Sequence, residues 1–381
     1  MNIIESTQSY EAWLSEQTEL QKRGIDRKHE QMALGAFPFL RATFYRWAQK
    51  WRKECSDLYE RDEDVLLAVG DLHVENFGIW RDSRERLVWG INDFDEACQL
   101  PFTSDLVRLG TSIILAAEAA GIEVSMGKVA EFLIAGYEEG LKMGGRPILL
   151  DEGDYHELLA LVCCVKEDPA VFWPRKLDDE NNPEIAARDL SSWLEDIFGS
   201  SFPSGVKLAY RRERKPGGLG SLGRRRYIAF SKKGRNYYVA REAKALVPSA
   251  LSWLQKRPAA KSLTATLLQR ATRSPDPWLQ VHDRWLVRQL APDAVKIELP
   301  ASQEDSRLVF APNVIRAMGF ETANIHLGSK GPGDLQAAMD RLRQDLGGDW
   351  LIAATGRMAK VTRQDHAEWT KSWSRHSRGR N

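Results

Sequence analysis

Cysteine is scarce in this chain of 381 residues, with four in all, at positions 55, 98, 163 and 164. No Cys/His spacing matches a zinc site. Cys163 and Cys164 adjoin the apolar run at 159–162, which leads us to expect buried free thiols. Excess charge is missing too. Lysine and arginine number 54 against 53 acids, a net charge of +1 that gives no electrostatic case for a nucleic-acid or membrane-surface partner. Long hydrophobic runs are absent, since the run at 112–117 is cut off by Glu118. Residues 1–5 lack the basic and apolar regions of a signal peptide. Repeats and low-complexity tracts are also missing. These absences lead to the expectation of a reduced, cytoplasmic protein without nucleic-acid or membrane partners. The length leaves room for two or so domains with ample core.

The most informative segments are Gly70-Asp71-Leu72-His73-Val74-Glu75-Asn76-Phe77-Gly78 and Ile91-Asn92-Asp93-Phe94-Asp95. Two apolar, β-prone runs at 77–80 and 87–91 flank the polar turn 81–86, which predicts a hairpin. A hairpin brings its ends together, so Asp71, Asn76 and Asp93 are expected to converge. Phosphoryl transfer needs that set: one carboxylate to orient the attacking hydroxyl, and an amide oxygen and second carboxylate for magnesium. Any one of these residues alone reads as an ordinary turn former; the joint spacing favours a site.

This stretch resembles the catalytic and metal-binding loops of protein-kinase-like phosphotransferases, nearest to the aminoglycoside and choline kinase branch. Val69 stands where that branch has its first histidine. The resemblance implies that Asp71 is the catalytic aspartate, that Asn76 and Asp93 are magnesium ligands, and that Asp105 braces the catalytic loop. It makes His73 a loop-shaping residue beside the catalytic group. Asp95, two residues past Asp93, would be a spare acidic neighbour or a second metal contact.

A second motif is Gly218-x-Gly220-Ser221-x-Gly223. A dinucleotide fingerprint would need a helix opening at the last glycine. Here Arg226-Tyr227-Ile228-Ala229-Phe230 follows, which favours a strand and a glycine turn covering ATP phosphates, with no Cβ in the way. Counting on, Arg241 falls where a kinase has its strand lysine. Lys244, three residues later, would face elsewhere if the strand continued; Arg241 or Lys244 is expected to counter the phosphate charge. Arg288 and Lys296 are further candidate phosphate contacts, and Glu242 a candidate partner for a cation. The bland alternatives are a hairpin turn and surface cations.

The glycines follow the acids, the reverse of ordinary kinase order, which a circular permutation accommodates. Nearly the whole chain is similar to a bacterial domain-of-unknown-function family, number 2252. The similarity rests on Lys28-His29, Met32 and Phe37-Pro38-Phe39-Leu40-Arg41, on the two acidic loops, and on Asp105-Leu106-Val107-Arg108-Leu109 and Val287-Arg288-Gln289-Leu290. It suggests that Arg41 points toward the site. The sequence departs at Ala42, at Arg241 and around His326.

The expected architecture is α+β: a bilobal, circularly permuted kinase-like fold with a small antiparallel β lobe and a larger helical lobe. Residues 1–202 would form the helical part with helices at 10–27 and 37–53, and a helical pattern at 104–142. Residues 203–310 would form the β part, with strands at 207–210, 226–230, 237–240, 285–290 and 294–299 and a helix at 259–272. Residues 311–381 would return to the helical part and end in a solvated basic tail. Trp80 and Trp89 would be cross-strand partners. The function expected is ATP- and Mg2+-dependent transfer to a hydroxyl of a small molecule or protein. A nucleotide-binding scaffold without turnover and an AMP-transferring enzyme are the alternatives. The acceptor and the oligomeric state are not written in the sequence.

Overall fold

Short helices open the chain. Asn2 caps the helix Ile3–Gln17 through a reciprocal capping box with Glu5. That helix stops where 10–27 was expected to run on. Leu20 leaves the helix to bridge Arg224, and Gln21 donates its N–H to Gly223. Pairing with a distant segment thus outweighs local helical periodicity. Helices Lys22–Leu34, Ala36–Ala42 and Phe44–Glu54 follow. This computed structural model describes residues 1–177, 192–202, 205–212, 218–234, 237–256, 261–294, 296–300 and 302–378.

Three antiparallel sheets make up the β structure of the described residues. Val65–Ala68 pairs with Cys98–Pro101. The expected hairpin forms between Phe77–Arg81 and Leu87–Ile91, and Ile148–Leu149 joins its edge. Asp82 closes the turn by accepting from the N–H groups of Arg84 and Arg86. Trp80 pairs with Val88 and Trp89 with Ile79, so pleat parity puts the two indoles on opposite faces rather than together.

The third sheet has five strands in the order Ala209–Arg212, Arg226–Gly234, Tyr237–Ala245, Trp285–Leu290, Gln280–His282. One face packs on helix Ser192–Ser200 through Phe198, Tyr227 and Ala243. The other meets helix Pro169–Lys176 through Phe172 and Trp173. Residues 294–299 are not the strand expected. Gln280–His282 takes the edge, while Lys296 makes one bridge to Gly78 and Ile297 donates to Phe77 O. Val295 lies outside the described residues, as do 178–183, 213–217, 235–236, 259–260 and 379–381. The helix expected at 259–272 is described over Thr264–Arg270.

The helical core is built from Thr103–Ala119, Met126–Lys142, Pro312–His326, Pro332–Leu346 and Trp350–Arg378. The continuous pattern read at 104–142 is broken at Gly121, which takes a φ of +66°. Cys55 and Cys98 are buried, but Cys163 and Cys164 are exposed on helix His156–Val165, against the expectation of buried thiols. The apolar run fills the inner side of this short helix, through Leu158, Leu161 and Val162, and leaves the thiols outward. No helix among the described residues is long and apolar enough to cross a membrane.

Helices Met126–Lys142 and Pro312–His326 cross with their backbones nearly touching. A Cβ at Gly136 would lie 1.9 Å from Arg316 O, and one at Gly319 would lie 2.2 Å from Leu133 O. The clash is with backbone, which cannot rotate away. Gly136→Ala and Gly319→Ala are each expected to lower unfolding free energy by about 1–3 kcal/mol, as overpacked cores do. Guanidinium denaturation of each variant beside the wild type checks this.

Candidate functional site

The site begins with a backbone reversal. Gly70 adopts φ +81°, and a Cβ there would fall 2.4 Å from Glu96 O. Only glycine suits that position. Asp105, fully buried on helix Thr103–Ala119, accepts from Val69 N at 2.7 Å and Gly70 N at 2.9 Å. Its second contact to Oδ2 is His326 Nε2 at 3.0 Å, and Tyr137 hydrogen-bonds the other ring nitrogen at 2.9 Å. The loop is thereby fixed, and Asp71 emerges from it.

Asp71 pairs with Arg108, one helical turn beyond Asp105. The Arg108 guanidinium is completely buried, lies against Trp47 and Phe44, and also donates to Leu40 O. Burial pushes the Asp71 carboxyl up to about 7, and the Arg108 charge offsets that rise only partly. His73 caps the next turn: its Nδ1 accepts from Glu75 N, and Asn76 Oδ1 accepts from His73 N at 2.6 Å. Burial holds the His73 imidazole well below its usual pKa. A neutral ring capping the loop fits the loop-shaping role better than proton transfer.

Asp93 sits 2.5 Å from Lys296 Nζ and 3.6 Å from Lys244 Nζ. Burial would raise its pKa, but the two ammonium groups outweigh burial and hold it well below the usual carboxylate range. Asp95 meets Lys244 at 2.6 Å and Arg224 at 3.5 Å. Lys244 therefore stands between the two acids. Strand pairing explains this. Lys244, Glu242 and Ala240 share one face of their strand, and Arg241 points to the other.

Arg241 does not reach the site. Its guanidinium stacks on Trp278 at 3.9 Å and bonds Ala240 O. The buried cation beside the acids is Lys244, so the apparent arginine-for-lysine exchange does not empty the site of a strand lysine. Arg288 comes to the cavity and pairs with Glu242 at 2.6 Å; Glu242 also binds Arg226 at 2.8 Å. Arg41 reaches it as well and pairs with Glu75 at 2.5 Å.

The glycine segment folds as a tight turn against Asp71. A Cβ on Gly220 would lie 3.2 Å from Asp71 Oδ2. Ser221 Oγ donates to Gly218 O and accepts from Arg226. Gly218, Gly220 and Ser221 line the cavity, but Gly223 does not. Gly223 has φ +89° and packs on Ile25 and Gly24, so its need for glycine is a close approach to a helix. The cavity enclosed by these groups measures about 560 Å3, within the range of small-molecule sites.

The oxygen donors suit a hard divalent cation. Asp93 and Asp95 are carboxylates, Asp95 Oδ1 is buried without a hydrogen-bond partner, and Asn76 Oδ1 keeps a second lone pair. No group of three His, Cys, Asp or Glu able to hold a metal occurs among the described residues. Magnesium needs only one or two carboxylates when phosphate oxygens complete its shell. The residues fit it once Lys244 or Lys296 yields one carboxylate oxygen.

Sequence reasoning assigned no role to Arg108, Lys28, Arg224 or Glu96. Arg108 was within reach, because its i+3 spacing from Asp105 puts both on one helix face. Arg224 bridges Asp95 and Glu96 only through tertiary folding, and no local signal marks it.

Residues 20–158 match the family described as "Uncharacterized protein conserved in bacteria (DUF2252)". That match includes Asp71, Asn76, Asp93 and Asp105 and stops short of the five-stranded sheet. No curated protein and no solved structure matches the chain.

The raised Asp71 carboxyl has a consequence for stability. Its folded pKa exceeds the unfolded value, so its contribution is complete below about pH 4 and is lost as pH rises to about 7. Asp71→Asn lacks that titration. Its stability relative to wild type is expected to increase across this window, by at most about 4 kcal/mol, and then level off. Denaturant unfolding at pH 4, 5.5, 7 and 8.5 measures it; parallel curves for the two proteins would refute the assignment.

Proposed function

We propose that this chain is an ATP- and magnesium-dependent phosphotransferase acting on a hydroxyl acceptor, built on a circularly permuted kinase-like plan. The five-stranded sheet with its glycine turn would be the small lobe, and the helices on either side of it in sequence the large one. One observation carries the reading: the turn at Gly220 lies on Asp71 while Lys244 of the adjoining sheet stands between Asp93 and Asp95. Segments from opposite halves of the chain thereby supply one cavity with the groups that phosphoryl transfer uses.

The nucleotide base would rest on the apolar part of the cavity wall, at Leu290, Ala294 and Phe172. Backbone N–H groups of the glycine turn would face the phosphates. Lys244, Lys296 and Arg288 would counter their charge, exchanging carboxylate partners for phosphate oxygens. Asn76, Asp93 and Asp95 would hold magnesium, which when bound neutralises phosphate charge. Asp71 would accept the hydrogen bond of the acceptor hydroxyl and take its proton during in-line attack. A carboxyl near 7 suits a base working at neutral pH. Arg108 would keep its orientation. The turn must shift from Asp71 to admit the hydroxyl.

A nucleotide-binding scaffold without turnover is the second reading. The observation favouring it is that Asp71 is already engaged by Arg108 and crowded by Gly220, and Asp93 by two lysines.

Thermal-shift titration with a non-hydrolysable ATP analogue, with and without magnesium, tests binding; phosphate release and mass spectrometry of products test transfer. Asp71→Asn is expected to cut turnover about 10²–10⁴-fold with nucleotide affinity largely unchanged. Lys244→Met is expected to weaken nucleotide binding about 10–100-fold. In the wild type, kcat should climb through about pH 7 to a plateau as Asp71 ionises. Full turnover in Asp71→Asn would exclude the role given to that residue, and nucleotide binding without turnover in the wild type would select the scaffold.

A further inference from the structure

Lys28 is the unexplained cation of the cavity. It lies on helix Lys22–Leu34, is 2 % exposed and lines the cavity wall. Among the described residues its ammonium forms no hydrogen bond and no ion pair. Its nearest support is the faces of Tyr10 and Tyr45, 5.8 and 5.7 Å away. Every other cation named at the site has an acid: Arg108 has Asp71, Arg224 has Asp95 and Glu96, Lys244 and Lys296 have Asp93, Arg41 has Glu75, and Arg288 has Glu242. A buried, unpaired ammonium is costly, and burial lowers the Lys28 pKa accordingly. An anion beside it would remove that cost.

The position of Lys28 says which anion. The charges that act on it most are, in order, those of Glu11, whose carboxylate meets the His29 ring at 2.7 Å, and of Arg224, Glu96 and Asp71. Arg224, Glu96 and Asp71 line the cavity with it, and neither Asp93 nor Lys296, where the nucleotide phosphates would sit, is among the charges that act on it most. Glu96 is already taken by Arg224 and by the N–H of Ala250. We infer that Lys28 forms an anion subsite beside Asp71, and that the acceptor is a hydroxyl compound carrying a carboxylate or phosphate group. The word acceptor rests on the phosphotransfer reading; the anion subsite does not.

Three probes sharing a hydroxylated carbon frame separate the possibilities: glycerol, glycerate and glycerol phosphate. Their binding is measured by calorimetry on the full chain, with and without a saturating non-hydrolysable ATP analogue and magnesium. At least one anionic probe is expected to bind about tenfold or more tighter than glycerol. The tighter of glycerate and glycerol phosphate identifies the group. Lys28→Met keeps an apolar stem over the two rings and is expected to abolish the preference, with partial recovery in Lys28→Arg and nucleotide affinity unchanged. Its melting temperature without probes should equal or exceed that of the wild type, because a buried unpaired charge is gone. The proposal is overturned if glycerol binds as well as both anions, if the preference survives in Lys28→Met, or if that variant loses nucleotide affinity in proportion. A Lys28-dependent anion preference in a protein that binds no nucleotide would sink the phosphotransfer reading and leave the subsite standing.

Discussion

The arrangement depends on one buried carboxylate. Asp105 receives two backbone N–H groups from the reversal at Val69 and Gly70, which the folded core would otherwise leave unpaired at a cost of about 1–3 kcal/mol each. His326 and Tyr137 complete the chain of hydrogen bonds into the helical core. The close crossing of the two helices that carry them, made possible by Gly136 and Gly319, sets the position of His326. Fold and site are therefore joined through a few contacts, and the direction in which Asp71 leaves the loop follows from them.

Around that anchor, acids and bases are buried together. An isolated ion in this cavity would shed its charge or disrupt the fold. Pairing prevents this, but unequally. Asp93 lies between two lysines and stays ionised, while Asp71 has one guanidinium, which only partly offsets the burial that pushes its carboxyl toward neutrality. Two carboxylates with separated proton affinities in one cavity are suited to different tasks, one holding charge and one exchanging a proton. Lys28, without an ion pair among the described residues, is the exception, and that is what points to an anionic ligand.

Several features were legible in the residue order because their causes are local. The hairpin at 77–91 follows from alternating apolar runs around a polar turn, although its register sets Trp80 opposite Val88 rather than Trp89. The glycines were read as lying before a strand, and Arg226–Gly234 is that strand. The helices beyond residue 311 follow apolar periodicity. What misled was parity and competition. Counting from the glycines to Arg241 placed that residue on the cavity face, yet strand pairing turns it to Trp278 and brings Lys244 inward. Residues 294–299 have β composition, but the sheet edge was filled by Gln280–His282.

By itself, the sequence determined the acidic loops, the alternation that builds the hairpin and sheet, and the glycine turn that precedes a strand. These rest on short-range sterics and on periodicity, which neighbouring residues carry. Only the tertiary structure decided that the glycine turn lies on Asp71, that Lys244 stands between Asp93 and Asp95, and that Lys28 has no ion pair among the described residues. Those facts depend on which distant surfaces meet, and a buried charge finds its partners in space rather than along the chain.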